Sequence, residues 1–520
     1  MFSIQSIPSS LLLFLFFILT GTACQQQNTT ITVTGTVSNS SGVLIAGTTV
    51  TNSDRSTTVT DANGKYSTPA AMDGTLTFEA EGYIIKTVDV DNQSVIDITL
   101  EEDPWVASFV TNNNSIKDPQ FPSNSLIPST TLSAPASTDP WFTAAPYAGA
   151  VETAFGNPWY SGWSFFDRII NGNTTSAPIN IAGKPTLNIN DNWMRAQGTT
   201  INWSADTVYI LDSLVFVGSG QTLNIAAGTV IQGKAGTAAG ASALIITRGA
   251  KIMAQGTATA PIIFTYEGDM GNSSVSKRAQ WGGLLILGYA SLNSSLGKTQ
   301  IEGIPTNELR GLYGGTNDAD NSGVLRYVSI RHGGTTLGSN NEINGLTLGG
   351  VGSNTTIEYV EVVSNQDDAI EWFGGTVNAK HLIAAYCGDD GLDYDEGYRG
   401  KNQFVIVYQD PTVGDFGGEH DGGTTPQTGT PYSTPKFWNV TSVGSTNSQA
   451  LIFGDNAGGQ YHNSIFINYN KGVSIEDEKR QEQDSYKQFV DGELKITNSV
   501  FFNIGNNTSP SDIFFIEYIQ

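Results

Sequence analysis

The segment Gln366-Asp-Asp-Ala-Ile-Glu-Trp372 returns 22 residues later as Gly388-Asp-Asp-Gly-Leu-Asp-Tyr394. Asp367 is thereby matched to Asp389, Asp368 to Asp390 and Glu371 to Asp393, while Ile370 and Trp372 are matched to Leu392 and Tyr394. Six acidic side chains at one fixed step can do three things. They can hold a hard cation through oxygen ligands, Ca²⁺ above all, with Asp367, Asp368, Glu371, Asp389, Asp390 and Asp393 as the ligand set. They can supply the paired carboxyl groups that cleave glycosidic bonds. They can also be plain turn residues, because Asp bonds its own backbone in tight loops.

A repeat in the low twenties, rich in Gly, Asn and β-branched residues and without helical period, is one coil of a parallel β-solenoid. Successive coils then lie ~4.8 Å apart. Two unpaired carboxylates at that spacing repel by roughly 3 kcal/mol at an effective dielectric of about 20. Something must relieve the stack: a cation, a nearby Arg or Lys, a raised pKa, or side chains splayed into water. The four histidines form no metal set, since none has an i, i+4 or Cys partner. His332 beside Arg331, and His420 between Glu419 and Asp421, are the two that stand next to charge.

Strand-like runs separated by glycine recur from Leu214 onward, and the reading is a parallel β-helix over 206–520. Three segments exceed the coil length and read as insertions: Glu267 to Gln280, Ser291 to Ser322, and Asp410 to Pro435. Residues 150–205 hold Trp159, Tyr160, Trp163, Phe165 and Phe166. A solenoid end exposes strand edges and core, so this aromatic stretch reads as its N-terminal cap, with a sugar-stacking platform as the alternative. Residues 102–149 read as a Ser/Thr/Pro/Asn-rich linker, and Ile513 to Gln520 shows no polar cap of its own. Residues 31–101 alternate at period two with close turns, the pattern of a small antiparallel β-sandwich in which Asp61 and Asn63 close a hairpin. The fold class is therefore all-β, a small β-sandwich followed by a right-handed parallel β-helix.

Charge narrows the partners. Against 25 Lys and Arg stand 49 Asp and Glu, a net charge of −24. Nucleic acid requires a basic footprint and is excluded; docking on anionic headgroups is disfavoured for the same reason. A membrane enters only through the N-terminus. Leu11 to Leu19 is apolar, too short to span a bilayer, and runs into Thr20-Gly-Thr-Ala-Cys24. Residues 1–23 read as a signal peptide and 24–30 as a tether. Small residues before a cysteine resemble a bacterial lipobox, which makes Cys24 the lipidation site and places the protein at the bacterial outer membrane, periplasmic or surface side. Cys387 is then the one remaining cysteine, expected as a buried apolar residue.

Three resemblances add to this. The order G-x-V, G-x-x-V, T-D-x-x-G-x-Y, G-Y in residues 31–101 resembles the carboxypeptidase regulatory-like domain, which implies a spacer. Phrases such as Val324-Leu-Arg-Tyr-Val-Ser-Ile-Arg-His-Gly-Gly334 and Asn344-Gly-Leu-Thr-Leu-Gly-Gly-Val-Gly352 resemble a group of Bacteroidetes-type envelope proteins with a pectin-lyase-like β-helix and no established activity. Gln366-Asp-Asp-Ala-Ile370 is similar to the paired-aspartate motif of polygalacturonase-type hydrolases, which implies catalytic roles for Asp367, Asp368 and Asp389. That family's Gly-His-Gly and Arg-Ile-Lys motifs are absent, and Gly418 to Gly422 echoes only the first. Pectate lyases of the same fold use Ca²⁺ on stacked Asp residues and an Arg base, which would be Arg399 or Arg331. Two functions stay open: an envelope protein that binds glycan or another surface component, or a lyase or inverting hydrolase of acidic polysaccharide.

Overall fold

A computed structural model describes residues 30–119, 135–152, 157–237, 240–336, 343–423, 425–478, 483–505 and 509–518. The signal-peptide and Cys24 readings fall outside these residues. Met1–Glu102 and Asp103–Gln520 are separate compact units.

In the first unit, Lys65–Ala71, Thr30–Asn39 and Ile98–Leu100 form one sheet, and Thr57–Val59, Thr49–Asn52, Thr75–Glu79 and Lys86–Asp89 the other. Alternation does the work. Along Lys65–Ala71, Tyr66, Thr68 and Ala70 turn inward, and Val33, Val37, Val50, Leu76, Phe78 and Leu100 complete a fully buried core. Asp61 Oδ1 accepts from the backbone N–H of Asn63 and Lys65 at 2.8 and 2.9 Å, but the turn so held joins Thr57–Val59 to Lys65–Ala71 of the opposite sheet and does not close the expected hairpin. The sandwich is not purely antiparallel, however. Val37, Ser38 and Asn39 pair in parallel with Ile98, Thr99 and Leu100 because the last strand arrives from the opposite sheet.

The second unit is the parallel β-helix. One sheet stacks ten strands in sequence order, with Leu346–Gly349, Ile370–Phe373, Leu392–Asp395, Gly418–Asp421 and Gln449–Gly454 at its centre. A second sheet of seventeen strands contains five long members, Gly323–Arg331, Thr356–Val363, Asn378–Ala385, Lys401–Tyr408 and Lys436–Val443. Each bends at a single left-handed residue, respectively Tyr327, Tyr359, His381, Phe404 and Asn439, with φ between 49° and 60°. These five stand in register. Stacking helps hold the uncommon backbone: the rings of Tyr327 and Tyr359 lie 4.4 Å apart, and those of Tyr359 and His381 lie 4.2 Å apart. Above them the corner passes to asparagine at 439, 463, 498 and 113, all at positive φ, a conformation Asn tolerates.

Both ends differ from the expectation. Pairing begins before Asp206, since Thr186–Ile189 and Thr200–Trp203 already join the sheet. The helix Asp191–Arg195, capped by Asn190, drives Met194 into the core there. The aromatic segment is not the cap of the first coil. Tyr160, Trp163, Phe165 and Phe166 pack on Val363, Ile383, Ala385 and Ile406, covering an apolar outward face of the middle coils.

The far end is closed by residues read as linker. The helix Pro104–Thr111, capped by Asp103, stacks Trp105 on Phe514 at 4.6 Å. Ser115 and Ile116 then pair in parallel with Val500 and Phe501 as one more rung. Asp410 to Pro435 is also not one insertion, because Gly418–Asp421 inside it continues the ten-stranded sheet.

Trp105 is fully buried, so Trp105→Ala should destabilise the solenoid by about 3–5 kcal/mol, read as a lower urea midpoint of its unfolding transition. An unchanged midpoint would remove this helix from the list of structural closures.

Candidate functional site

The ten-stranded sheet aligns its outward residues into rows. One row runs Phe216, Ile245, Leu285, Thr347, Glu371, Asp393, Glu419. Its first three members are apolar and lie under Ile301, Ile304 and Tyr313 of the 291–322 insertion. The row turns acidic on the coils beyond that cover. Beside it run Phe373, Asp395, Asp421 and, past Gly454, Glu476. The residues between point inward: Trp372, Tyr394 and His420 occupy the core in the same register. The 22-residue repeat thus places Glu371 directly beside Asp393 on adjacent parallel strands.

Asp368 and Asp390 sit in the turns that lead into these strands. Asp390 N–H donates to Asp368 Oδ1 at 2.9 Å, and Phe416 N–H donates to Asp390 Oδ1 at 2.7 Å. Both bonds reach across to the next coil, 22 and 26 residues along the chain, and are not the local bonds of the turn reading. One oxygen each from Asp367, Asp368 and Asp389 lie within 4.8 Å of one another, and the same holds for Asp368, Glu371 and Asp393. Asp368 belongs to both trios and Asp390 to neither. Asn344 Nδ2 donates to Glu371 and, at 3.0 Å, to Glu302 Oε1 from the insertion. Asp393 Oδ1 and Asn344 Oδ1 are buried without a hydrogen-bond partner.

Burial is the first cause of the electrostatic state here and neighbouring carboxylates the second. Asp368 is pushed far above its usual range by burial, then by Asp367 and Asp389. Glu371 rises likewise through burial, Asp393 and Glu302; Asp390 and Asp393 rise through burial, Asp368 and Glu419. The charges acting most strongly on these four are all acidic. Along the second row, burial lifts Asp395 to about 6, and burial with Asp395 and Glu419 lifts Asp421 to about 8. Glu396 goes to about 7 by burial, although Tyr313 Oη donates to it at 2.6 Å.

The nominated bases lie elsewhere. Arg399 bonds Gly397 O at 2.5 Å, Ser291 Oγ at 2.7 Å and Asp318 Oδ2 at 3.2 Å, fastening the 291–322 insertion to the corner. Arg331 is wholly buried on the other sheet, its guanidinium 4.4 Å from the Phe165 ring and bonded to Ser329. His332 is buried beside it, its Nδ1 at 2.7 Å from Lys277 O and its pKa pushed down to about 4 by burial. His420 lies in the core, stacked on Tyr394 at 4.1 Å, with Nε2 2.7 Å from Tyr461 Oη and a pKa near 3 through burial. Strand phase decides this: His420 follows Tyr394 inward while Glu419 and Asp421 turn out. Cys387 is a buried free thiol pushed up to about 12 by burial.

Five residues of this face were not candidates for the site in the sequence: Glu302, Asn344 and Asp395, together with Glu419 and Asp421, which were noted only as the acids flanking His420. Glu419 aligns with Asp393 across a coil lengthened by the segment after Asp410, so no 22-residue step marks it. Its available signal was the outward phase of Glu419 and Asp421 around His420.

Compared with protein families, residues 195–515 match the pectate-lyase-like β-helix domain. No curated protein and no solved structure matches the chain.

These acids have folded pKa values above their unfolded values of about 4. The folded state therefore holds protons that unfolding releases, and stability falls as pH rises from about 4 through 8. In EDTA, the melting temperature should drop steadily from pH 5 to pH 8, and Asp421→Asn should flatten the upper part of that slope. A flat profile for the unaltered protein would contradict the burial of these charges.

Proposed function

Because this chain belongs to the family of pectate-lyase-like β-helix domains, we propose that it binds carbohydrate on the outward face of the ten-stranded sheet, with Ca²⁺ held there by Asp367, Asp368, Glu371, Asp389 and Asp393. The observation that supports the cation is Asp368, shared by two carboxylate trios and flanked by the partnerless buried oxygens of Asp393 and Asn344. Acceptors in excess of donors fit an ion that takes six to eight oxygen ligands. Asp390 is left out, since it belongs to neither trio and its Oδ1 accepts from Phe416. When bound, the ion would cancel the stacked charge and offer open coordination to sugar oxygens. The residues' own part is to hold it on two coils at once, with Asn344 orienting Glu371.

Binding is favoured over lyase action and over inverting hydrolysis. Arg399 is committed to Asp318 and Ser291, away from the role of a lyase base. The oxygens of Asp367, Asp368 and Asp389 approach within 4.8 Å, whereas an inverting pair needs about 6.5–9.5 Å to admit its water. The apolar Leu11 to Leu19 run ahead of Cys24 supports an anchored envelope protein, with residues 31–101 as its spacer.

Added Ca²⁺ should raise the melting temperature by several degrees and permit glycan retention on an array of polysaccharides, both reversed by EDTA. Asp368→Asn keeps the oxygen that accepts from Asp390 N–H yet removes the charge, so it should abolish the Ca²⁺ shift. Asp455→Asn, in a different acidic group, should retain it. Absence of any shift together with EDTA-insensitive binding would sink the cation reading.

A further inference from the structure

A second recess carries the opposite charge. At the corner after the strands Ala243–Ile246 and Leu284–Leu287, a cavity of about 450 Å³ is lined by Arg248, Tyr289, Leu296, Lys298 and the segment Gly314 to Asn317. That volume suits a small ligand. In a chain with 49 acidic residues against 25 basic, its wall contains two cations and no carboxylate.

The recess is built rather than accidental. Arg248 Nη1 donates to Gly314 O at 2.9 Å, and the guanidinium carbon lies 5.1 Å from the centre of the Tyr289 ring. The Arg is thus anchored from the insertion side and oriented over an aromatic face, in a cation–π arrangement. Tyr289 is 37 % exposed and Leu296 is 80 % exposed, so apolar surface adjoins the charge. Two acids follow the lining segment: Asp318 accepts from Ser291 at 2.9 Å and pairs with Arg399 at 3.2 Å, and Asp320 accepts from Tyr289 N–H at 3.2 Å.

Two cations call for an anionic group. The exposed Tyr ring and Leu296 call for a body with an apolar face, which a bare inorganic anion lacks and a pyranose ring presents. We propose that this recess binds a single sugar unit bearing one carboxylate or sulfate, with Arg248 and Lys298 on the anionic group and Tyr289 against the ring. This goes beyond the calcium reading, because the recess lies at another corner of the coil and needs no metal.

The test is calorimetric titration of the full chain in EDTA with glucuronate, glucose 6-sulfate, glucose and sodium sulfate. At least one acidic sugar should bind tenfold or more tighter than glucose and tighter than sulfate alone; which of the two does so identifies the anionic group. Lys298→Gln alters an exposed side chain and should leave the melting temperature unchanged while weakening that binding threefold or more. Arg248→Gln should weaken it further. Equal affinity for glucose, sulfate binding as tight as the sugar's, or indifference to Lys298→Gln would each overturn the proposal. Because EDTA is present throughout, this outcome is independent of whether Ca²⁺ binds at Asp368.

Discussion

The molecule depends on one constraint: in parallel coils, each side chain lies beside its counterpart at a strand spacing of ~4.8 Å. Along several rows like meets like. The rule favours Tyr327 on Tyr359 on His381, whose rings lie at 4.4 and 4.2 Å, since each aromatic contact contributes about 0.5–1.5 kcal/mol beyond burial. It equally favours asparagine on asparagine, where Asn113 Nδ2 donates to Asn498 Oδ1 at 2.8 Å across the last rung. For carboxylates the same rule is adverse by roughly 3 kcal/mol per unrelieved pair. Two stacked aromatic pairs barely offset one such pair. An acidic row in a buried setting is therefore a cost unless protons or a cation relieve it.

What the sequence disclosed follows from the same geometry. The 22-residue step was legible because no insertion interrupts the coil between Asp367 and Asp389, so equal spacing in sequence becomes adjacency in space. Where a coil is lengthened, as before Glu419, adjacency persists but the step vanishes. Strand phase was the missed clue there. His420 sits between two acids in sequence and looked like part of their chemistry, yet it shares the inward phase of Trp372 and Tyr394 and packs as a core ring. The aromatic stretch around Trp163 announced that it covers something without saying which face, because the cue for its location lies in Val363, Ile383 and Ile406, far along the chain. The closure by Trp105 was hidden for a similar reason. Its partner, Phe514, is some four hundred residues away, and an eight-residue helix at the edge of a polar stretch has too little pattern to stand out.

The 291–322 insertion links these features physically. Ile301, Ile304 and Tyr313 cover the apolar part of the outward row, and their cover ends where the acids begin. The same loop delivers Glu302 to Asn344, receives Arg399 on Asp318, and donates the Gly314 carbonyl that anchors Arg248. It spans the boundary between an acidic surface and a basic recess.

Protons and cations are competing answers to the stacked charge, and the register makes both act between coils. Stability in a repeat fold is close to a sum of nearest-neighbour interfaces, so the weakest interface sets where the structure opens. The interface between Ile370–Phe373 and Leu392–Asp395 has well-packed Trp372 and Tyr394 inside and Glu371 against Asp393 outside. Its inner and outer faces therefore pull in opposite directions. A proton shared there weakens the repulsion on one pair only and is lost as the pH rises. A cation touching Asp368 on one coil and Asp389 or Asp393 on the next joins the two coils through every carboxylate it contacts. On the proposed calcium reading, occupancy of the site and integrity of the middle of the solenoid would be one equilibrium, and a sugar preferring the metal-bound face would stabilise the coil beneath it.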